Sequence, residues 1–284
     1  MQVQTLRDYR IAPVEQAYDW KASALYALGL GYGANPLDES ELSFVYEGDQ
    51  RAVPSLCVVL GHPGFWLRDP ALGIDWVKLL HGEQGFEIHR PLPPQGRVRS
   101  THRIVALEDK GADKGAVLHV EKRLENADDT SLIATVRTTL FLRADGGQGA
   151  FGEAPAAPTA LPEGPADITL DIPTLPQQAL IYRLSGDYNP IHADPAIARK
   201  AGFDRPILHG LCTMGLACRA VLQAVCDNRP ERLRSMFVRF SKPVFPGETI
   251  RTEFFRQGSQ VRFRARALER DVIVLDRASA ELAD

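Results

Sequence analysis

The chain has 284 residues, with Lys plus Arg at 33 against Asp plus Glu at 36, a formal net charge of −3, and 44% hydrophobic and 24% charged residues. This is an ordinary globular composition, and its acidic balance argues against a nucleic-acid partner. No apolar run approaches the roughly 20 residues that span a bilayer, so no membrane partner is expected.

The first residues, MQVQTLRDYR, lack the apolar stretch of a secretory signal, and the last four, Glu281 to Asp284, are not a peroxisomal Ser-Lys-Leu tail. Cys57, Cys212, Cys218 and Cys226 form no C-x-x-C pair and sit among apolar residues. They read as buried free thiols in a reducing compartment. The expectation is a soluble cytoplasmic protein.

In chain order, the first recognisable pattern is Tyr26-Ala-Leu28-Gly29-Leu-Gly31 leading to Asn35-Pro36. Next comes His89-Arg-Pro91-Leu-Pro-Pro94-Gln-Gly96-Arg-Val98. Residues 144–166 are rich in Gly, Pro and Ala with no apolar period, and read as an extended linker. They divide the chain into 1–143 and 167–284.

The second part repeats the first. Tyr182-Arg-Leu184-Ser185-Gly186 leads to Asn189-Pro190, and Ser241-Lys-Pro243-Val-Phe-Pro246-Gly247-Glu-Thr-Ile250 matches the His89 segment. The offsets run from 151 to 156. A near-constant offset over separate segments argues for a duplicated fold.

The patterns predict a short helix over Pro176–Ser185, ended by Gly186. A second follows Asp194, with Pro195 at its first position and Gly202 at its stop. Residues 210–226 are apolar nearly all round, so that helix should be buried. Four strands are expected next, at Met236–Val244, Glu248–Arg256, Val261–Ala267 and Val272–Leu282. A buried helix with a run of antiparallel strands implies an α+β unit whose sheet wraps the helix. Arg262, Arg264 and Arg266 stripe one strand face and read as a solvated surface.

The segment dense in chemistry is Asp187-Tyr-Asn189-Pro190-Ile-His192. Gly186 releases the chain from the helix, and Pro190 pushes Asn189 out of the α region. A stiff turn of this kind can aim Asp187, Asn189 and His192 at one point, where they could hold a water and move its protons. The competing readings are that Asp187 and Asn189 merely cap turns and that His192 is a satisfied core histidine. Asp194 already has a capping role and is set aside. No H-E-x-x-H is present, so no metal is expected. Gly210 opens the buried helix, where an unpaired N–H and the positive end of the helix dipole could polarise a carbonyl. The alternative is that Gly210 only eases helix–sheet packing.

Tyr182-Arg-Leu-Ser-Gly-Asp-Tyr-Asn-Pro-Ile-His192, with Ala198 six residues on and Ala201-Gly-Phe-Asp-Arg-Pro-Ile-Leu-His-Gly210 after it, resembles the signature of the (R)-specific enoyl-CoA hydratases, the MaoC-like family. The first half is similar to that of two-domain members at Leu25–Gly31, Phe44–Gly48, Leu80–Gln84 and Pro91–Pro93. The resemblance implies a double hot-dog fold, each unit an antiparallel sheet around a central helix. It implies one active site in the second half, and a first half that makes room for the acyl chain. The first-half turn, Gly31-Tyr-Gly-Ala-Asn35-Pro36, has no Asp or His to match.

The implied activity is reversible hydration of trans-2-enoyl-CoA to (3R)-3-hydroxyacyl-CoA. Asp187, His192, Asn189 and Gly210 would be catalytic. His81, Gly82, Lys110, Arg183, Tyr188, Pro190, Ile191 and Phe240 would contact the substrate or its CoA. No metal or prosthetic group is implied, and CoA enters only as part of the substrate. The family suggests a homodimer. The alternatives are a hot-dog acyl-CoA thioesterase and a non-catalytic acyl-CoA binder.

Overall fold

In the computed structural model, which describes residues 1–283, the strands of both halves join in one antiparallel sheet. Its strands are β1 (Val14–Tyr18), β2 (Leu79–Ile88), β3 (Gly96–Asp109), β4 (Ala116–Asn126), β5 (Leu132–Leu142), β6 (Ile168–Pro173), β7 (Leu233–Phe240), β8 (Thr249–Gln257), β9 (Gln260–Ala267) and β10 (Val272–Leu282). Their order is β1-β3-β4-β5-β2-β7-β10-β9-β8-β6. Outward from the β2–β7 seam, both halves run in the same topology: β2-β5-β4-β3-β1 on one side, β7-β10-β9-β8-β6 on the other. This is the duplication expected from the repeated sequence segments. At the seam Gly85 lies opposite Phe237 and Glu83 opposite Arg239.

The helices are α1 (Val3–Asp8), α2 (Trp20–Gly29), α3 (Glu39–Val45), α4 (Gln178–Tyr182), α5 (Pro195–Lys200) and α6 (Gly210–Val225). α6 is the buried central helix of the second half. Gly215 on it lies so close to Leu30 of the first half that a Cβ would come within 2.4 Å of a Leu30 methyl. Tyr26 and Tyr182, matched in the two repeats, meet across the halves with ring centroids 5.7 Å apart.

The double hot-dog architecture is as expected, but the first half lacks a long central helix. By the same offset the counterpart of α6 is the single 3-10 turn Pro54–Val58. Gly61 and Gly64 follow in left-handed conformations with Pro63 between them, and none of these continues a helix. Lys122 closes the shortened element by donating to the carbonyls of Cys57, Val58 and Leu60 at 2.7–3.0 Å. Burial lowers its pKa to about 8.

Local readings hold closely. Asp194 caps α5 by accepting from Ala196 and Ile197, and Gly202 follows with φ +88°. β10 has the predicted bounds. β7 begins at Leu233 and ends at Phe240, earlier than predicted at both ends, because Pro243 has no N–H to continue the ladder. The helix predicted over Pro176–Ser185 is α4 followed by a 3-10 turn, Arg183–Ser185. Residues 144–166 carry one isolated bridge, Leu107 with Phe151. They are tied down where the Gly147 and Gly149 N–H groups donate to the Asp109 carboxylate at 2.7 Å.

All four cysteines are free and buried. In the arginine stripe, Arg264 pairs with Glu253, Arg266 with Asp271, and Arg262 with the Ala160 carbonyl. Among the described residues, no helix is long and apolar enough to cross a membrane.

Candidate active site

The site forms where the turn after α4 meets the start of α6. Gly186 takes φ +118° and ends the 3-10 turn. The Asn189 N–H donates to Asp187 Oδ1 at 3.1 Å, and the Ile191 N–H donates to Asn189 Oδ1 at 3.2 Å. Asn189 thereby caps a second 3-10 turn, Pro190–His192. Asp187 and Asn189 do cap turns, but each spends one oxygen on it. The second Asp187 oxygen and the Asn189 amide nitrogen stay free of intrachain partners among the described residues. Asp187 and Asn189 are exposed.

His192 is 8% exposed, and its Nδ1 lies 2.8 Å from the Ile207 carbonyl oxygen. A carbonyl only accepts, so Nδ1 carries the hydrogen and Nε2 presents its lone pair in the neutral ring. Burial lowers the His192 pKa, opposed by the Ile207 hydrogen bond and by Asp187. Nε2 is therefore unprotonated near neutrality, with its lone pair free. A reaction that needs this neutral ring should lose kcat/KM as pH falls through a midpoint below 6.5. A pH–rate profile checks it.

Gly210 is the first residue of α6, and its N–H has no acceptor among the described residues. A Cβ at Gly210 would lie 3.5–3.7 Å from the Phe240 ring, which is ordinary contact. Packing does not require glycine there, so the packing alternative fails. What the missing Cβ leaves open is close approach to the free N–H.

The first half supplies the facing wall. The His81 ring stands edge-on to Phe240, with centroids 5.0 Å apart. Its Nε2 pairs with Gln84 Oε1 at 3.0 Å, and Thr138 donates to the same oxygen. Burial lowers the His81 pKa to about 4. Gly82 falls where the β2–β5 register shifts, and such an irregularity re-aims neighbouring side chains. Burial also lowers the His62 pKa, and the Asp187 charge opposes the lowering at both His62 and His81.

Arg183 lies over the Tyr188 ring at 5.3 Å, beside the turn, and its Nε is buried without a partner. Tyr188 is 59% exposed. Pro190 and Ile191 form the turn's backbone. Lys110 follows β3, which lies three places from β2 in the sheet order. There its Nζ donates to Glu108 at 2.7 Å.

His209 is a site residue that the sequence reading passed over, naming only its neighbour Gly210. Its ring stacks on His192 with centroids 3.7 Å apart and planes 26° apart. Asp187, His192 and His209 offer ligand atoms within 4.8 Å of one another. Rings stacked this way keep their lone pairs in nearly parallel planes, which do not converge on one ion at the ~2.1 Å that zinc–nitrogen bonds require.

The equivalent turn of the first half keeps the scaffold without the chemistry. Asn35 accepts from the Leu37 N–H as Asn189 does from Ile191, but Tyr32 sits there under the Arg219 guanidinium.

A double hot-dog with an Asp–Asn–His turn beside a helix N-terminus in one half only defines a MaoC-like dehydratase of the two-domain type. The MaoC like domain family matches residues 158–278, and the MFE-2 hydratase 2 N-terminal domain family matches residues 17–144. The chain belongs to this family. It is 37% identical over 294 residues to the enoyl-CoA hydratase 2, peroxisomal, of Arabidopsis thaliana, covering 94% of this chain and 91% of that one. It is 36% identical over 282 residues to the peroxisomal multifunctional enzyme type 2 of Mus musculus, covering 96% of this chain but 38% of the longer enzyme. The crystal structure of a MaoC-like dehydratase from Phytophthora capsici superposes with a TM-score of 0.88 at 34% identity, covering 100% of this chain and 99% of that one.

Proposed function

We propose that this protein adds water reversibly across the double bond of a trans-2-enoyl-CoA to give a (3R)-3-hydroxyacyl-CoA, as in β-oxidation. The observation that carries this reading is the pairing of the Asp187 carboxylate and the bare His192 Nε2 with an unpaired Gly210 N–H that no packing demand explains. The Gly210 N–H, at the positive end of α6, donates to the thioester oxygen and stabilises the enolate that forms. Asp187 and His192 hold one water, oriented by the free Asn189 amide. Its oxygen bonds to C3. The released proton rests on the Asp187–His192 pair and passes to C2. One water on one side adds both groups to one face of the alkene.

On this reading the catalytic residues are Asp187, His192, Asn189 and Gly210. His81, Gly82, Tyr188, Pro190, Ile191 and Phe240 shape the substrate cleft, and Arg183 and Lys110 lie along the path of the CoA phosphates. Residues 1–143 bind the acyl chain, with the lost central helix leaving room for it, and residues 167–284 do the chemistry. No metal or prosthetic group is needed, because the proton relay and the N–H donor suffice. The proposed setting is the cytoplasm, where four buried thiols stay reduced, and the proposed assembly is a homodimer.

Purified protein should bleach the conjugated absorbance of short- and medium-chain enoyl-CoA without releasing thiol. Thiol release would replace this reading with a thioesterase. Gly210→Pro removes the N–H, and Gly210→Ala, which adds a Cβ but keeps the N–H, controls for the added bulk. Proline fits the first position of a helix, and His209 before it is already extended at φ −60° and ψ 138°. The variant should fold normally and lose about 10²–10³-fold in kcat.

A further inference from the structure

His209 moves no proton in the scheme above, yet it touches both groups that do. It is 1% exposed and immediately precedes Gly210. Its Nε2 lies 3.2 Å from the backbone oxygen of Asp187. One face of its ring stacks on His192, and the Tyr182 ring lies 5.1 Å away at 50°. Because the Asp187 carbonyl only accepts, Nε2 carries the hydrogen and Nδ1 is bare. Nδ1 is buried and has no partner among the described residues. A buried ring with one unsatisfied nitrogen is costly. If packing were its whole role, a phenyl ring would fill the same space without that cost.

We propose that His209 is a positioning residue: the hydrogen bond it donates to the Asp187 carbonyl locks the turn, and its ring fixes the plane of His192, so that carboxylate and Nε2 bracket one water beside Gly210. The proposal rests on the hydratase reading of the site and deepens it. The groups facing His209 are His192, Asp187, Arg183 and Tyr182. Burial first, then His192, lowers the His209 pKa to about 4, against the pull of Asp187. His209 is therefore a neutral donor near neutrality.

Two variants separate the donor from the ring. His209→Phe keeps the ring without the N–H. His209→Gln keeps an N–H of similar reach without the ring. In His209→Phe, kcat should fall about 10–100-fold, as for a small misplacement of reacting groups. KM and the melting temperature should stay near wild type. His209→Gln should recover part of the lost kcat, the share owed to the hydrogen bond, with the ring's share still missing.

A second readout needs no turnover. Asp187 raises the His192 pKa, so a turn released by His209→Phe should let the His192 midpoint fall when its ring protons are titrated by NMR. In His209→Gln the midpoint should hold. An unchanged kcat in His209→Phe, or one His192 midpoint in all three proteins, would overturn the positioning role. Wild-type protein that hydrates no enoyl-CoA would instead overturn the hydratase reading, leaving the NMR titration to judge His209 by itself.

Discussion

Asp187→Asn and His192→Asn should each lower kcat by about 10²–10⁴-fold, the usual span of general acid–base help. Both changes are chosen to spare the scaffold. Asparagine at 187 keeps the oxygen that accepts from the Asn189 N–H, but it has no charge with which to hold a proton. Asparagine at 192 keeps an N–H near the place of Nδ1, where the Ile207 carbonyl accepts, and loses the basic Nε2. The free oxygen and Nε2 serve one water together, so the double variant should be little worse than either single one. Steady-state kinetics with matched circular dichroism checks this. Near-normal kcat in either variant would remove that residue from the chemistry.

The second large effect concerns stability. Glu41 is 1% exposed, and its Oε1 accepts from Arg219 Nε at 2.9 Å, from a second Arg219 nitrogen at 2.6 Å and from Gln223 at 2.6 Å. Its Oε2 accepts from the Gly33 N–H at 2.9 Å, and Arg219 also donates to the Leu30 carbonyl at 3.2 Å. This network pins the silent turn of the first half onto the central helix of the second. Removing one partner leaves an uncompensated buried charge. Glu41→Gln or Arg219→Met should therefore cost about 3–5 kcal/mol. Replacing both at once with apolar residues of similar volume should cost much less, because no charge is stranded. Chemical denaturation of the three variants measures the difference. Equal losses in the single and double variants would contradict it.

The turn from Asp187 to His192 was legible in the sequence because its parts are neighbours. Gly186 and Pro190 punctuate the chain, and Asp187, Asn189 and His192 lie within six residues, so local rules alone aim them together. The α5 cap and β10 were legible for the same reason. His81 was different. The resemblance named it, but its contact with Phe240 depends on the β2–β7 seam, a pairing between strands about 150 residues apart, and no local pattern encodes it. His209 stands directly before a buried helix, but its hydrogen bond to the Asp187 carbonyl joins residues 22 apart, which no local pattern encodes. The missing helix of the first half was written in Pro54, Gly61, Pro63 and Gly64. Resemblance to a repeated fold argued for a helix there, and those breakers argued against it. Lys110 resembled a substrate contact, but its position depends on sheet order and on Glu108 beside it.

The account stands or falls on one water delivered from one side. Wild-type protein should be given a trans-2-enoyl-CoA in D2O, and the product examined by NMR and chiral analysis. The expected product carries deuterium at C2 and the hydroxyl at C3 added to the same face, with the 3R configuration. Addition to opposite faces would contradict an Asp187–His192 pair sharing a single water, and a 3S product would contradict the 3R assignment.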